Sequence, residues 1–255
     1  MTQRDDDAFF VGYINAAPGS LKWFLPLVGI GLVALFAAAG YMTAAGQKSA
    51  GSGRFLWGAG QQDLTGILEA KPYPIIHVRP SERFPKGRTL MLNGQGKRGA
   101  PDAMVTEFDG KPVDVSGILL KRGELDALQV GKIEAAKISD GSARTNPAAV
   151  DLGRWRLSGE ICDGKCLAGA MRPGTGLAHK ACANFCLLGG VPPVFVSTDK
   201  VAGQDFLLMA DQDGGPIPDD KLYDYVAQPV EIEGWVEQRG DLLIFRIDPA
   251  TLKPL

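Results

Sequence analysis

Pro112-Val-Asp-Val-Ser-Gly117-Ile-Leu-Leu-Lys-Arg122-Gly123-Glu-Leu125 recurs 117 residues later as Pro229-Val-Glu-Ile-Glu-Gly234-Trp-Val-Glu-Gln-Arg239-Gly240-Asp-Leu242. In both copies apolar and polar residues alternate up to a turn that contains glycine, which predicts a β-strand leading into a hairpin. Self-similarity at a constant offset is typical of a duplicated structural unit. This stretch therefore predicts two copies of one β-rich fold.

Two further pairs of strands follow the repeat. Leu90-Met91-Leu92 corresponds to Leu207-Leu208-Met209 at the same offset of 117 residues. Leu64-Thr65-Gly66 corresponds to Leu157-Ser158-Gly159, but at an offset of only 93. The second copy therefore carries about 24 extra residues between its first two strands. All four cysteines and one of the two histidines lie in this insertion.

Short apolar runs between turn residues predict five strands in each copy. In the first copy these are Leu64–Leu68, Pro74–Val78, Thr89–Leu92, Val113–Leu120 and Leu125–Val130. In the second copy they are Leu157–Ile161, Val194–Ser197, Phe206–Ala210, Val230–Glu237 and Leu242–Ile247. Apolar residues at helical spacing between Pro218 and Val226 predict a short helix before the fourth strand of the second copy.

Three strands, a helix and two strands is the order found in the five-stranded oligonucleotide/oligosaccharide-binding (OB) barrel. We therefore expect an all-β fold of two tandem OB-like barrels, over residues 63–150 and 151–255. The second barrel is expected to contain a cysteine-rich helical hairpin over 162–186.

An uncharged stretch from Trp23 to Gln47 precedes the repeats. A helix over Leu25 to Ala45 would be about 31 Å long, which matches the hydrocarbon core of a membrane. A cleaved signal peptide is the alternative, because small residues follow the apolar run. The leader of residues 1–22 contains Asp5-Asp6-Asp7 instead of a compact basic region, which favours an uncleaved transmembrane helix over 23–46. Residues 47–62 form a flexible linker of mainly small residues.

The orientation of this helix is predicted from the cysteines, since the count of basic residues, Arg4 and Lys22 before it and Lys48, Arg54 and Lys71 after it, does not decide it. An even number of cysteines in paired spacing is typical of an oxidising compartment. We therefore expect a cytoplasmic N-terminus, with residues 1–22 as a short tail, and the bulk of the chain outside the cytoplasm. Membrane lipid is the expected partner of the helix.

Composition argues against two classes of function. A net charge of -2 provides no basic field for nucleic acid. With two histidines and no recognisable Ser-His-Asp arrangement, the chain is predicted to have no catalytic residues and no bound cofactor. The loop Gly94-Gln-Gly-Lys97-Arg98-Gly99 is rich in glycine and basic, but it lacks the spacing and the Ser/Thr of a phosphate-binding loop.

Two Cys-x-x-x-Cys pairs, Cys162 with Cys166 and Cys182 with Cys186, mark the insertion. Residues four apart share one face of a helix, so two short antiparallel helical turns would bring the four sulfurs together. Disulfides Cys162–Cys186 and Cys166–Cys182 would then staple the hairpin. Other connectivities stay open, because four cysteines allow three pairings.

Metal binding is the main alternative to disulfides. Four thiolates could form a closed tetrahedral zinc site, although zinc sites more often have two residues between the cysteines. Copper would use the same four cysteines, with Met171 and His179 as additional ligands. Reversible thiol–disulfide chemistry is a third interpretation. A hydrogen-bonding role in the hairpin is the simplest expectation for His179, as a structural role within a strand is for His77.

The segment from Gly159 to Val196 resembles a known type of sequence. The runs Gly-Glu-Ile-Cys-Asp-Gly-Lys-Cys, His-Lys-Ala-Cys-Ala-Asn-Phe-Cys and Gly-Gly-Val-Pro-Pro-Val-Phe-Val are similar to a segment of uncharacterised bacterial exported or membrane-anchored proteins. The resemblance covers about 40 of 255 residues. It implies a protein of the bacterial cell envelope, and it implies no particular chemistry.

These observations together predict a single-pass protein of the bacterial inner membrane whose barrels lie in the periplasm. We expect a non-catalytic accessory or assembly subunit that docks to a membrane-protein complex, such as a respiratory complex. The alternative is a metal-handling protein (copper or zinc) or a thiol-redox protein that uses the four cysteines.

Overall fold

The computed structural model describes residues 19–46, 51–137 and 146–255, and it divides the chain into two units. The first unit, up to Ser49, contains the helix α1, Phe24–Gly46. This helix is long and apolar enough to cross a membrane, as its sequence predicted. Most of the predicted tail, 1–22, lies outside the described residues.

The second unit, Ala50–Leu255, is mostly β-structure. Its elements up to residue 137 are β1 (Arg54–Phe55), β2 (Gln62–Glu69), β3 (Ile75–Val78), β4 (Arg88–Asn93), α2 (Asp102–Glu107), β5 (Pro112–Arg122) and β6 (Leu125–Ala135). From residue 146 onward they are β7 (Val150–Asp163), α3 (Lys180–Leu188), β8 (Pro193–Val201), β9 (Gln204–Ala210), β10 (Pro229–Arg239), β11 (Leu242–Ile247) and β12 (Lys253–Pro254).

Each half of this unit closes into a five-stranded barrel. In the first half β2, β3 and β4 form an antiparallel meander, β4 pairs in parallel with β6, and β5 closes the barrel between β6 and β2. The second half has the same order and directions, with β7, β8, β9, β10 and β11 in the corresponding places.

The register of the strands repeats as well as their order. Gly66 of β2 lies opposite Val113 of β5, and Gly159 of β7 lies opposite Val230 of β10. In the parallel pairs, Met91 faces Ala127 in the first barrel, and Leu208 faces Ile244 in the second. The predicted duplication is therefore present at the level of individual strand partners.

Two short elements differ from the sequence-based expectation. Part of the predicted linker is structured, because Arg54 and Phe55 pair with Lys121 and Leu120 of β5. The helix predicted between Pro218 and Val226 is reduced to one 3-10 turn at Asp219–Lys221, while the first barrel has the α-helix α2 in the corresponding place. Local apolar spacing predicted the position of the turn before β10 but not its length, which depends on packing against the barrel, and it did not predict α2.

The two barrels pack against each other through a shared apolar layer. Each barrel has its own buried core, and a third cluster joins Ile75 and Met91 of the first barrel to Val194 and Leu208 of the second. An ion pair between Glu69 and Arg239 also links the barrels. Near it, the backbone NH of Thr89 donates to Asp241 Oδ1 over 2.7 Å. The barrels therefore form one body joined by apolar and charged contacts.

The connection between β7 and β8 is the main difference between the halves. Gly66 and its partner Val78 are 12 residues apart, whereas Gly159 and its partner Ser197 are 38 apart. This longer connection contains three of the cysteines, His179 and α3.

Candidate metal centre

Asp163 is the last residue of β7 and the first residue of the segment that contains Cys166, Cys182 and Cys186, here called the cysteine segment. Its Oδ1 accepts a hydrogen bond from the backbone NH of Cys166 over 2.8 Å, so the carboxylate caps the helical turn that begins at Gly164. A 3-10 turn at Leu177–His179 then leads directly into α3. Cys182 and Cys186 are both on α3 and share one face, as their spacing predicted.

Cys162 departs from the prediction, because it lies on the strand β7 opposite Val194 and not on a helical turn. Strand pairing with β8 continues to Asp163, so the helical turn of the first arm begins only after Cys162. The Cys162 side chain is fully buried in the apolar layer between the barrels, where its thiol donates to Glu160 Oε1 over 3.3 Å. Burial, together with the charge of Glu160, raises the pKa of this thiol.

The sulfurs of Cys182 and Cys186 both lie close to that of Cys166. The Sγ of Cys166 is 3.9 Å from that of Cys182 and 3.7 Å from that of Cys186. All four cysteines are free thiols, so the predicted disulfides Cys162–Cys186 and Cys166–Cys182 are not formed in this structure. Cys162 lies in a different apolar cluster from the other three.

His179 lies beside these sulfurs and is held by a carboxylate. Its Nε2 is 2.9 Å from Asp163 Oδ2, and both side chains are buried. A ring nitrogen of His179 and the sulfurs of Cys166 and Cys182 all lie within 4.8 Å of one another. Asp163, Cys166 and Cys186 form a second such group. Cys166 therefore belongs to both groups and is the centre of the cluster.

A loop of the first barrel covers the cluster. Lys97 donates from Nζ to the Sγ of Cys182 over 2.8 Å, and this hydrogen bond raises the pKa of the lysine. The loop is fixed from the other side by Lys165, whose buried ammonium donates to the carbonyl oxygens of Gly94 and Gly96 over 2.5 and 2.7 Å. Burial lowers the pKa of Lys165.

The sulfurs have unequal proton affinities. The hydrogen bond between Cys166 and Cys186 raises the pKa of Cys166 and lowers the pKa of Cys186, because the thiol of Cys166 stabilises the thiolate of Cys186. Two lysine ammonium groups, Lys97 and Lys165, lie near these thiols. These two positive charges favour the thiolates that bind metals, whereas the charge of Asp163 raises the pKa of both Cys166 and Cys186.

Three contributors to the site were not identified from the sequence. Asp163 and Lys165 lie between two cysteines, and an Asp three residues before Cys166 has the spacing of a helix cap that could have been recognised. Lys97 belongs to the glycine-rich loop, whose sequence gave no sign that it would meet a segment 85 residues away. Met171, a predicted additional ligand, is 43% exposed. His77, outside this cluster, bridges Thr89 Oγ1 and Glu69 Oε2, which agrees with its expected structural role.

No protein-family model, no curated protein and no solved structure matches this chain.

Proposed function

We propose that the chain is a membrane-anchored, non-catalytic protein of the bacterial cell envelope that holds one zinc ion through Cys166, Cys182, Cys186 and His179. The spacing of the sulfurs carries this proposal. Two thiolates at 2.3 Å from a tetrahedral zinc ion are about 3.8 Å apart, and the two sulfur–sulfur distances from Cys166 are 3.7 and 3.9 Å.

The surroundings of His179 support the same proposal. A histidine that binds a metal commonly donates its other ring NH to a carboxylate, which fixes the ring and increases its basicity. The contact between Nε2 and Asp163 leaves Nδ1 of His179 available as the ligand atom. Cys182 and Cys186 are one helical turn apart on α3, so side-chain rotation can direct both sulfurs to one ion.

Four protein ligands would close the coordination sphere, which is typical of structural zinc and not of catalytic zinc. We interpret residues 162–186 as an insertion that the ion stabilises on a duplicated OB-like scaffold. The strand order and the parallel pairing of the third and fifth strands in each barrel support the OB-like assignment.

We further propose that α1 anchors the chain in the inner membrane and that the barrels lie in the periplasm. With the thiols unpaired, this orientation rests on the resemblance of the segment from Gly159 to Val196 to exported or membrane-anchored bacterial proteins, and metal ligation would keep the thiols from pairing. A rigid pair of barrels beside a single anchor suits an accessory or assembly subunit of a membrane complex, such as a respiratory complex. Proteolysis of intact spheroplasts tests the orientation, since periplasmic barrels should be digested without lysis.

Metal analysis of the full-length protein tests the zinc centre. We expect one zinc per chain in the wild type and in Cys162→Ala, and none in Cys166→Ser. Cys162→Ala is the matched control, because it removes the thiol that lies outside the cluster. If the analysis finds one copper per chain, the metal at this site is copper and not zinc. Absence of metal together with disulfides found by mass spectrometry would contradict the proposal and restore the staple interpretation.

A further inference from the structure

The helix α3 is apolar on both of its faces. One face is buried and contains Ala183, Cys186 and Leu187. The opposite face is open, with Phe185 63% and Leu188 64% exposed. Leu177, in the 3-10 turn that leads into α3, is 68% exposed. Positions 177, 181, 185 and 188 follow helical spacing, so these side chains form a continuous apolar strip.

We propose that this strip of Leu177, Phe185 and Leu188, here called the α3 strip, lies in the headgroup region of the membrane that α1 spans. The inference rests on the proposed membrane anchoring, but it does not depend on the zinc centre. A large apolar patch on a protein surface marks a contact with a membrane or a partner. Two further observations favour the membrane.

The first observation is the charge around the strip. The segment that carries the strip has no acidic residue from Gly164 to Thr198, and Arg172 is exposed within this range. The exposed Asp224 contacts α3 through its backbone carbonyl, which accepts a hydrogen bond from Lys180 Nζ. Lys97 and Arg98 of the covering loop are also exposed, and the Lys97 ammonium is 5.9 Å from the centroid of the Phe185 ring. Leucine and phenylalanine bordered by lysine and arginine are typical of surfaces that insert into anionic lipid headgroups.

The second observation is the length of chain that follows α1. Only residues 47–53 separate Gly46 from Arg54, the first residue of β1, so this link can extend over at most about 25 Å. A Cβ atom on Gly53 would collide with the backbone at Leu167 and Ala168, so this part of the chain packs directly on the cysteine segment. The segment is thus tethered by a short link to a helix that would lie in the bilayer.

Trp57 is a further exposed apolar side chain, close in sequence to the link that follows α1. It follows β1, is 63% exposed and stacks on Phe55 with ring centroids 4.7 Å apart. Tryptophan favours the interface between lipid and water. If the α3 strip bound a soluble partner, it would not need to lie on the segment that packs on the link to α1. Contact with the membrane does require this position.

Photolabelling from lipid tests the inference. The full-length protein is placed in nanodiscs of phosphatidylcholine and phosphatidylglycerol that contain a phospholipid with a diazirine in its acyl chain. After irradiation, mass spectrometry locates the labelled peptides. We expect labels within 24–46, which report the anchor, and within 177–188, which report the α3 strip. Replacing phosphatidylglycerol with phosphatidylcholine should lower the second signal several-fold and leave the first unchanged.

In the double variant Phe185→Glu/Leu188→Glu, the amount of label within 177–188 should fall at least ten-fold. The amount within 24–46 should be unchanged. Val150→Glu, which also changes an exposed apolar side chain, is the control and should label as the wild type does. Labelling of the wild type at 24–46 alone would overturn the inference while leaving the anchor in place. Absence of label at both sites would overturn the anchor and the inference together. Cross-linking of 177–188 to a protein instead of lipid in native membranes would replace the membrane with a protein partner.

Discussion

The ammonium group of Lys97, on a loop of the first barrel, lies 2.8 Å from the sulfur of Cys182 in the second barrel and donates a hydrogen bond to it. The two residues are 85 positions apart in the chain. A side chain of the first barrel therefore contacts the cysteine cluster, although all of the cysteines belong to the second barrel. The contact places a positive charge against a sulfur that we propose as a zinc ligand.

Replacing Lys97 by methionine should weaken zinc binding two- to five-fold, because the zinc-bound thiolate loses a hydrogen bond that is partly screened by solvent. This corresponds to about 0.5–1 kcal/mol. Competition with a chromophoric chelator measures the affinity. Arg98→Met is the matched control, because it removes the same charge one residue away. An equal loss in both variants would show that only the net charge of the loop matters.

Asp163→Asn should reduce the affinity for zinc by about ten- to a hundred-fold, because the histidine that binds the metal loses its carboxylate partner. The amide can still accept the hydrogen bond from the backbone of Cys166, so the turn should persist. Glu231→Gln makes the same chemical change on β10, where the carboxylate pairs with the exposed Lys253, and should bind zinc as the wild type does. Unchanged affinity in Asp163→Asn would exclude His179 as a ligand oriented by this carboxylate.

Gly189→Ala tests how the loop of the first barrel is seated on the cysteine segment. The backbone of Gly189 is compatible with alanine (φ -80°), but a Cβ atom there would collide with the carbonyl oxygen of Lys97. The variant should lose about 1–3 kcal/mol of unfolding free energy, measured by urea denaturation. Gly131→Ala is the control, because its Cβ atom would have only an ordinary contact, 3.6 Å from the Ser116 carbonyl oxygen. If the two variants have the same unfolding free energy, the loop that contains Lys97 can shift to make room for the Cβ atom without loss of stability.

Much of the fold was predictable because it is repeated. The alternation of apolar and polar residues placed all ten barrel strands, and the offset of 117 between copies reappears in the strand partners. Strand ends were less predictable: β7 extends from Val150 to Asp163, well beyond the predicted Leu157–Ile161. Its ends are decided by pairing with β10 and β8, which a local pattern does not contain.

The candidate site was predictable in composition but not in arrangement. Cys166, Cys182, Cys186 and His179 were all named as alternative metal ligands from their types and spacing. Cys162 was grouped with them because a spacing of four residues suits a helix, whereas β-pairing of Cys162 with Val194 directs its side chain elsewhere. Lys97 reaches the site through contact between the barrels, and no local pattern predicts such a contact.

The ion pair between Glu69 and Arg239 should make the pairing of the barrels sensitive to acid. Burial raises the pKa of Glu69, but the hydrogen bond with His77 and the charge of Arg239 outweigh it, so the pKa is lower than usual. A carboxylate with a lowered pKa stabilises the folded state above its unfolded pKa, about 4.3 for glutamate. This stabilisation is lost as the pH falls through the folded pKa.

Between pH 7 and pH 3 the wild type should therefore lose about 1 kcal/mol more unfolding free energy than Glu69→Gln, which has no proton to gain at this position. Urea denaturation at a series of pH values measures both. Glu134→Gln alters the exposed pair with Lys132 and should keep the pH dependence of the wild type. Parallel curves for the wild type and Glu69→Gln would mean that this carboxylate keeps its ordinary pKa. In that case the contribution of the Glu69–Arg239 contact to the pairing of the barrels would not depend on the charge of Glu69.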